Sequence, residues 1–254
     1  MESKENASIA WITGATSGIG KACAIKFAKA GWDLIITGRR LERLIDLQKE
    51  LQNNYSVNII PLSFDVRNAK EVETALGNLP APTILINNAG LSRGLDPLAQ
   101  SLLSDMDEMI DTNLKGLAYV SRIAAQKMIP HKRGHILHVG SIAGIDPYAN
   151  GTVYCATKAG VDALTQALRM ELLDKGIKVS VIHPGMVETE FSEVRFHGDT
   201  QRAANVYQGV NPLTPEEVAD VIYYIIQQPA HVVLSEVVML SVNQAGARMI
   251  HRNH

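Results

Sequence analysis

The chain has 254 residues, of which 46% are hydrophobic and 20% charged, with a formal net charge of -2. This composition fits one globular domain spanning residues 1–254, and the near-neutral charge gives no electrostatic case for a nucleic-acid or anionic-membrane partner. Cys23 and Cys155 form neither a disulfide framework nor a zinc pattern, and no apolar run reaches the roughly 18 residues of a membrane span.

Short apolar runs alternate with longer helical patterns along the chain. Residues 9–13 read as a buried strand, followed by a glycine-rich turn and a helix over 19–30. A second strand at 34–37 leads into a charged amphipathic helix at 40–51. A third strand at 57–64 precedes a helix at 69–79. A fourth, at 84–86, enters Asn87-Asn88-Ala89-Gly90. One long helix is expected over 104–129, then a fifth strand at 136–139 ending at Gly140-Ser141. Residues 153–173 read as helix and 179–182 as a sixth strand. Residues 186–211, after Pro184-Gly185, are polar with no clear period. Thr214 caps a helix to residue 226 with Pro215 at its first position, and a last strand at 237–242 leads into a tail at 243–254. This alternation predicts an α/β fold with a parallel sheet covered on both faces, whose ligands sit at the carboxyl ends of the strands. The polar start, MESKENAS, carries no signal-peptide pattern, so a reducing, cytoplasmic setting is expected.

The motifs fall at those strand ends. Thr13-Gly14-Ala15-Thr16-Ser17-Gly18-Ile19-Gly20 joins strand to helix, where glycines let a pyrophosphate approach backbone N–H groups. The spacing of Gly14, Gly18 and Gly20 is neither the usual dinucleotide fingerprint nor a Walker A loop. After the second strand stand Arg39 and Arg40, with Arg43 one turn on, where an NAD site would want an acid. Guanidinium groups suit a 2′-phosphate, so NADP(H) is preferred over NAD(H). Asp65 and Val66 suggest an adenine contact, and Asn87, Ala89 and Gly90 lie near the cofactor's middle. Asn113 is an odd residue inside a helical pattern, pointing to a backbone bend or a held water. Tyr154 and Lys158 lie one helical turn apart on one face, where the cation favours the phenolate, and Ser141 can bond the same substrate oxygen.

In that order and spacing, these motifs resemble the short-chain dehydrogenase/reductases over essentially the whole length. The resemblance implies a seven-stranded Rossmann-type doubly wound sheet with helices on both faces, and a homotetramer. It implies a catalytic tetrad of Asn113, Ser141, Tyr154 and Lys158, with Pro184, Gly185, Val187 and Thr189 at the nicotinamide. Hydride would pass between the nicotinamide and a carbonyl carbon, with Tyr154 exchanging the oxygen's proton. Ser141 would orient that oxygen, Lys158 would bind the ribose and lower the Tyr154 pKa, and Asn113 would hold a water.

Residues 189–211 are expected to form the substrate lid. This stretch, with Thr37-Gly38-Arg39-Arg40, Pro147-Tyr148 and Pro229-Ala230-His231-Val232, is similar to a subgroup acting on small 3-hydroxy acids, serine-type substrates and malonic semialdehyde. Arg195 in the lid can pair with a carboxylate or sulfonate, and Tyr148 can donate to the same anion. Gln244 is a tail contact to substrate; Arg93 and Arg248 are weaker anion candidates. Asp146 departs from the subgroup, which keeps sulfoacetaldehyde level with malonic semialdehyde and 3-hydroxy acids as substrate. Neutral ketones, sugars or lipid-like alcohols are an alternative, and a catalytically silent NADP-binding regulator is another. The eight histidines show no metal spacing, and no metal is expected.

Overall fold

The computed structural model describes residues 8–253. The opening residues 1–7 and the last tail residue, His254, lie outside that range. Seven strands form one parallel sheet in the order β3-β2-β1-β4-β5-β6-β7. They are β1 Ile9–Thr13, β2 Asp33–Gly38, β3 Ile59–Ser63, β4 Ile84–Asn87, β5 Gly134–Val139, β6 Ile177–Pro184 and β7 Glu236–Met239. The main helices are α1 Gly18–Lys29, α2 Leu41–Asn54, α3 Ala69–Gly77, α4 Leu103–Ile110, α5 Leu117–Met128, α6 Ile142–Ile145, α7 Thr152–Glu171, α8 Phe191–Arg195, α9 Thr200–Tyr207 and α10 Pro215–Ile226.

The strands read as continuous apolar runs because both faces are buried. Side chains alternate between two cores. Ala10, Ile12, Leu34, Ile36, Ile84 and Ile86 join one core with α1, α2 and α10. Trp11, Ile35 and Leu85 point the other way, into a core with α3 and α5. The order reverses at β1, whose neighbours are β2 and β4. At such a switch point the connections leave in opposite directions and open a crevice at the carboxyl ends.

Two expectations change. The single helix expected over 104–129 is interrupted by a wide π turn at Asp111–Gly116. Its cause is Asn113, buried inside the turn, whose amide turns inward to bond the main chain at Leu91. The segment expected to lack a period contains α8 and α9, of five and eight residues, too short to register a helical repeat. Asp199 starts α9 by accepting from Arg202 N at 2.9 Å.

The expected cap at Thr214 is a full capping box. Thr214 Oγ1 accepts from Glu217 N at 3.2 Å, and Glu217 Oε2 accepts from Thr214 N at 2.8 Å. Thr214→Ala should cost about 1 kcal/mol of stability. Adding Glu217→Ala should cost less than the sum of the single changes, since they share one motif. Urea unfolding of the two single variants and the double variant measures both quantities.

Candidate active site

A cleft of about 340 Å³ lies across the carboxyl ends of the strands, lined by the loops that follow β1 to β6. Its floor is the turn between β1 and α1. Gly14 has φ +67, and a Cβ there would lie 2.9 Å from Asn88 Nδ2. At Gly20 a Cβ would lie 2.6 Å from the same nitrogen and would strike the Gly14 carbonyl. Gly20 therefore does not line the cleft; it lets α1 start against the turn. The first-turn N–H groups of α1 have no intrahelical partner. With Gly14, Thr16, Ser17, Gly18 and Ile19 they form a cradle for phosphate.

Thr13 sets where that cradle sits. Its hydroxyl accepts from Asn88 N and Ala89 N, both at 2.9 Å, and donates to Asn87 Oδ1 at 3.2 Å. Asn87 is buried and its Nδ2 donates to Leu117 O and Ser121 Oγ. This corrects its expected role: Asn87 ties β4 to β1 and α5 and does not line the cleft. Asn88, Ala89 and Gly90 do line it.

Past β2, Arg39 and Arg40 line the cleft, together with Asp65 and Val66 past β3. Arg40 donates to Thr16 Oγ1 at 2.7 Å and Ser17 Oγ at 3.0 Å, so a guanidinium stands against the cradle. Arg40 and Arg43 also pair with Glu190 at 2.9 and 2.7 Å. Glu190 was not singled out from sequence, because an acid in a polar loop carries no pattern. Arg93, a candidate anion contact, is instead paired with Glu108 at 2.7 Å and donates to Val194 O at 2.6 Å. Asp65 pairs with Arg67 at 2.6 Å. Pro184, Gly185, Val187 and Thr189 form the wall after β6, and Ser141, Tyr154 and Lys158 the end beyond β5.

Tyr154 and Lys158 are both buried on α7. Lys158 Nζ donates to Val139 O at 2.8 Å. Burial pulls Lys158 down to about 8, with Asp162 one turn on holding it up. Burial pushes the Tyr154 phenol up to about 12, against the Arg195 charge and a hydrogen bond with Ser141. The sequence expectation that Lys158 lowers the phenol is therefore corrected: the cation that bears on Tyr154 here is Arg195. Its guanidinium lies 5.4 Å from the centre of the Tyr154 ring and 5.1 Å from that of Phe191. Asn113 stays off the cleft. Its Nδ2 donates to Leu91 O and Thr157 Oγ1, and its Oδ1 accepts from Leu91 N, so its side chain fixes the loop after β4 against α7.

Arg195 Nη2 reaches Tyr148 Oη at 3.4 Å, and Arg195 Nε is buried without a hydrogen-bond partner among the described residues. Arg248 stacks on Tyr148 at 5.2 Å, carried there by a tail that Asp146 anchors through Ala247 N at 2.7 Å. Asp146 thus has a partner that its sequence context did not show. Gln244, expected at substrate, accepts from Met186 N at 2.9 Å and packs on Gly185, off the cleft. Among the described residues there is no cluster fit for a metal and no helix long and apolar enough to cross a membrane.

Lys158→Met should stabilise the fold by about 1–3 kcal/mol near pH 7, the desolvation relief exceeding the lost bond to Val139 O. The native pKa lies below the ordinary 10.5. The penalty is therefore full below about 8 and fades as pH rises towards 10.5, where wild type and variant should converge. Denaturant midpoints across that range check the sign.

The short chain dehydrogenase family profile matches residues 8–199. An NADP-dependent 3-hydroxy acid dehydrogenase of Schizosaccharomyces pombe is 41% identical over 246 residues, covering 95% of each chain. One of Escherichia coli, with the same name, is 42% identical and covers 96% of this chain and 99% of its own. The solved closed form of a serine dehydrogenase with NADP+ superposes with a TM-score of 0.89 at 42% identity, covering 96% of this chain and 100% of the other. With its profile, its relatives and its seven-stranded parallel fold in agreement, the chain belongs to the short-chain dehydrogenase family.

Proposed function

We propose that this enzyme is an NADP-dependent reductase, reversible as a dehydrogenase, of small anionic aldehydes and the corresponding hydroxy acids. The observation that carries the reading is Arg195, a half-buried guanidinium over the Tyr154 ring whose Nε is buried without a hydrogen-bond partner among the described residues. An unpaired buried cationic donor beside a reactive phenol calls for a ligand anion, since leaving it unmet is costly. Sulfoacetaldehyde with isethionate, and malonic semialdehyde with 3-hydroxypropionate, both carry an anion one short link from the carbonyl. The names of the relatives favour a 3-hydroxy acid or serine.

The cleft fits NADP(H) on its own chemistry. Gly14 and Gly18 line the turn where the free N–H groups of α1 suit a pyrophosphate, and Arg39 and Arg40, with Arg43 one turn on, suit a 2′-phosphate. When bound, NADPH supplies the hydride. Tyr154, with its pKa pushed up to about 12, stays protonated through the neutral range. That is the form a carbonyl reduction needs, because the phenol gives its proton to the oxygen. Ser141, which lines the same end of the cleft as Tyr154, orients that oxygen. Lys158, which lines the cleft, would bind the ribose, and Asn113 keeps the Leu91 loop and α7 in register. In the reverse direction Tyr154 must first lose its proton, so oxidation should accelerate towards alkaline pH.

The assembly we propose is a homotetramer in the cytoplasm. Its support is exposed apolar side chains on α4 and past β7, with Leu103 76% and Val242 97% exposed. Sedimentation equilibrium should return the mass of four chains; a monomer refutes the assembly.

Kinetics test the reaction. Tyr154→Phe should lower kcat by about 10²- to 10⁴-fold with NADPH affinity unchanged. Arg195→Ala should raise KM for an anionic aldehyde by about tenfold or more and leave a neutral aldehyde of equal size nearly untouched. Equal losses for both aldehydes would favour neutral substrates.

A further inference from the structure

His183 lies immediately before Pro184-Gly185, at the end of β6, and is fully buried. Its ring packs against the backbone that leads to Ser141: a Cβ on Gly140 would lie 2.7 Å from His183 Nδ1. Nδ1 is 3.3 Å from the Ser141 main-chain oxygen. Nε2 is 3.3 Å from Glu236 Oε1 and 3.5 Å from Asp162 Oδ1. The fold makes this convergence. Val181 pairs with Glu236 in the β6–β7 register, so Glu236 shares a sheet face with His183 two residues on. Asp162 reaches the same face from α7, one turn after Lys158.

Counting protons shows what the cluster does. The Ser141 carbonyl can only accept, so its bond to the ring requires a hydrogen on Nδ1. In the neutral ring Nε2 is then a bare lone pair facing two carboxylate oxygens. Neither Nε2 nor Asp162 Oδ1 has a hydrogen-bond partner among the described residues. Buried acceptors facing one another without a donor are unfavourable. One additional proton, on Nε2 or on Asp162, resolves the conflict. Burial and the Glu236 charge push Asp162 up to about 6, with Lys158 pulling the other way. Burial also lowers the His183 pKa; Glu236 and the Ser141 carbonyl oppose this, and Lys158 adds to it. Lys158, Asp162 and Glu236 are the charged groups facing the ring from α7 and β7.

We propose that His183 is a positioning residue for Ser141, and that one proton shared among His183, Asp162 and Glu236 decides whether it holds the Ser141 main chain. When that proton leaves, the ring hydrogen belongs on Nε2, where two carboxylates accept it. Nδ1 then turns a lone pair on the Ser141 carbonyl, and an attraction becomes a repulsion. The Ser141 hydroxyl loses its fixed place beside Tyr154. The proposal rests on the reading of Ser141 as the residue that orients the substrate oxygen.

Two replacements separate positioning from packing. His183→Asn puts an amide donor near the place of Nδ1 and carries it at every pH. His183→Gln fills more of the ring's space but puts its amide near the place of Nε2. Wild type and both variants are compared for carbonyl reduction between about pH 5 and about pH 9, with kcat, KM and NADPH affinity measured separately. The wild-type kcat should fall several-fold as pH rises above about 6, with NADPH affinity level. His183→Asn should keep the acid-side rate without that fall, and His183→Gln should be slower by about tenfold throughout. A His183→Asn profile that repeats the wild-type fall, or a His183→Gln enzyme equal to wild type, overturns the proposal.

A second readout does not depend on turnover. Nitrogen-15 histidine spectra of the wild type, with His183 assigned by its loss in His183→Asn, should show hydrogen on Nδ1 at low pH and on Nε2 at high pH. A ring that carries hydrogen on Nε2 alone throughout refutes the proposal. Were wild type inert towards every carbonyl tried, the reading of function would fail, and these spectra would still decide the place of the proton.

Discussion

A lysine buried at the end of a parallel sheet is the constraint around which this molecule is arranged. Among the described residues Lys158 has one hydrogen bond, to Val139 O, and burial pulls its pKa down to about 8. A lone ammonium there would be expelled or neutralised. It remains because α7 carries Asp162 one turn on, and because β5 ends with its last carbonyl aimed at the site. The helix, the strand end and the acid together keep that cation at the end of the cleft. The cost of keeping it falls on the fold, and the benefit falls on chemistry.

The polar groups beneath the cleft divide into two kinds. One is a chain that does not titrate near neutrality. It runs from Thr13 through Asn87 and Ser121 to His138, whose other nitrogen meets Thr165 Oγ1 at 2.7 Å. Burial pushes His138 down to about 3, so the ring stays neutral and the chain keeps its geometry. It locks the glycine turn to β4 and α5 with uncharged hydrogen bonds. The other kind surrounds His183, where two carboxylates share a buried ring and protons must be counted. Two buried histidines within one sheet thus behave oppositely. Hydroxyls surround His138, and a hydroxyl can donate or accept as required. Carboxylates surround His183, and an ionised carboxylate only accepts.

Much of this was legible in the sequence. The strands were readable because both sheet faces are buried, which leaves apolar runs bounded by turn residues. The cradle was readable because only glycine can stand where Gly14 and Gly20 stand. Asn113, a poor helix residue, pointed to a bend or a held water; the π turn itself was not foreseen within the long helix expected there. What stayed hidden shares one property: it depends on partners far away in sequence. Asn87 looked like a cofactor contact and is spent on Leu117 and Ser121. Gln244 looked like a substrate contact and is spent on Met186. His183 gave no signal, since its meaning comes from Glu236 and Asp162, on other elements. Helix α8 was hidden because five residues hold barely more than one turn.

The same dependence explains how the mouth of the cleft keeps so many arginines together. Arg39, Arg67 and Arg93 all approach Glu108, at 3.4, 3.5 and 2.7 Å, and Arg40 and Arg43 share Glu190. Five guanidinium groups without those two carboxylates would repel one another and splay into solvent. Each acid lowers that repulsion and fixes orientation, and of the five Arg39 and Arg40 line the cleft. Glu190 does this from the residue directly before α8, and Arg93 holds the far end of α8 through Val194 O. The helix that carries Arg195 is therefore tied to these arginines at its start, through Glu190, and near its end, through Val194 O. The arginine pairs at one end of the cleft and the helix that places Arg195 over Tyr154 are thus parts of one set of contacts.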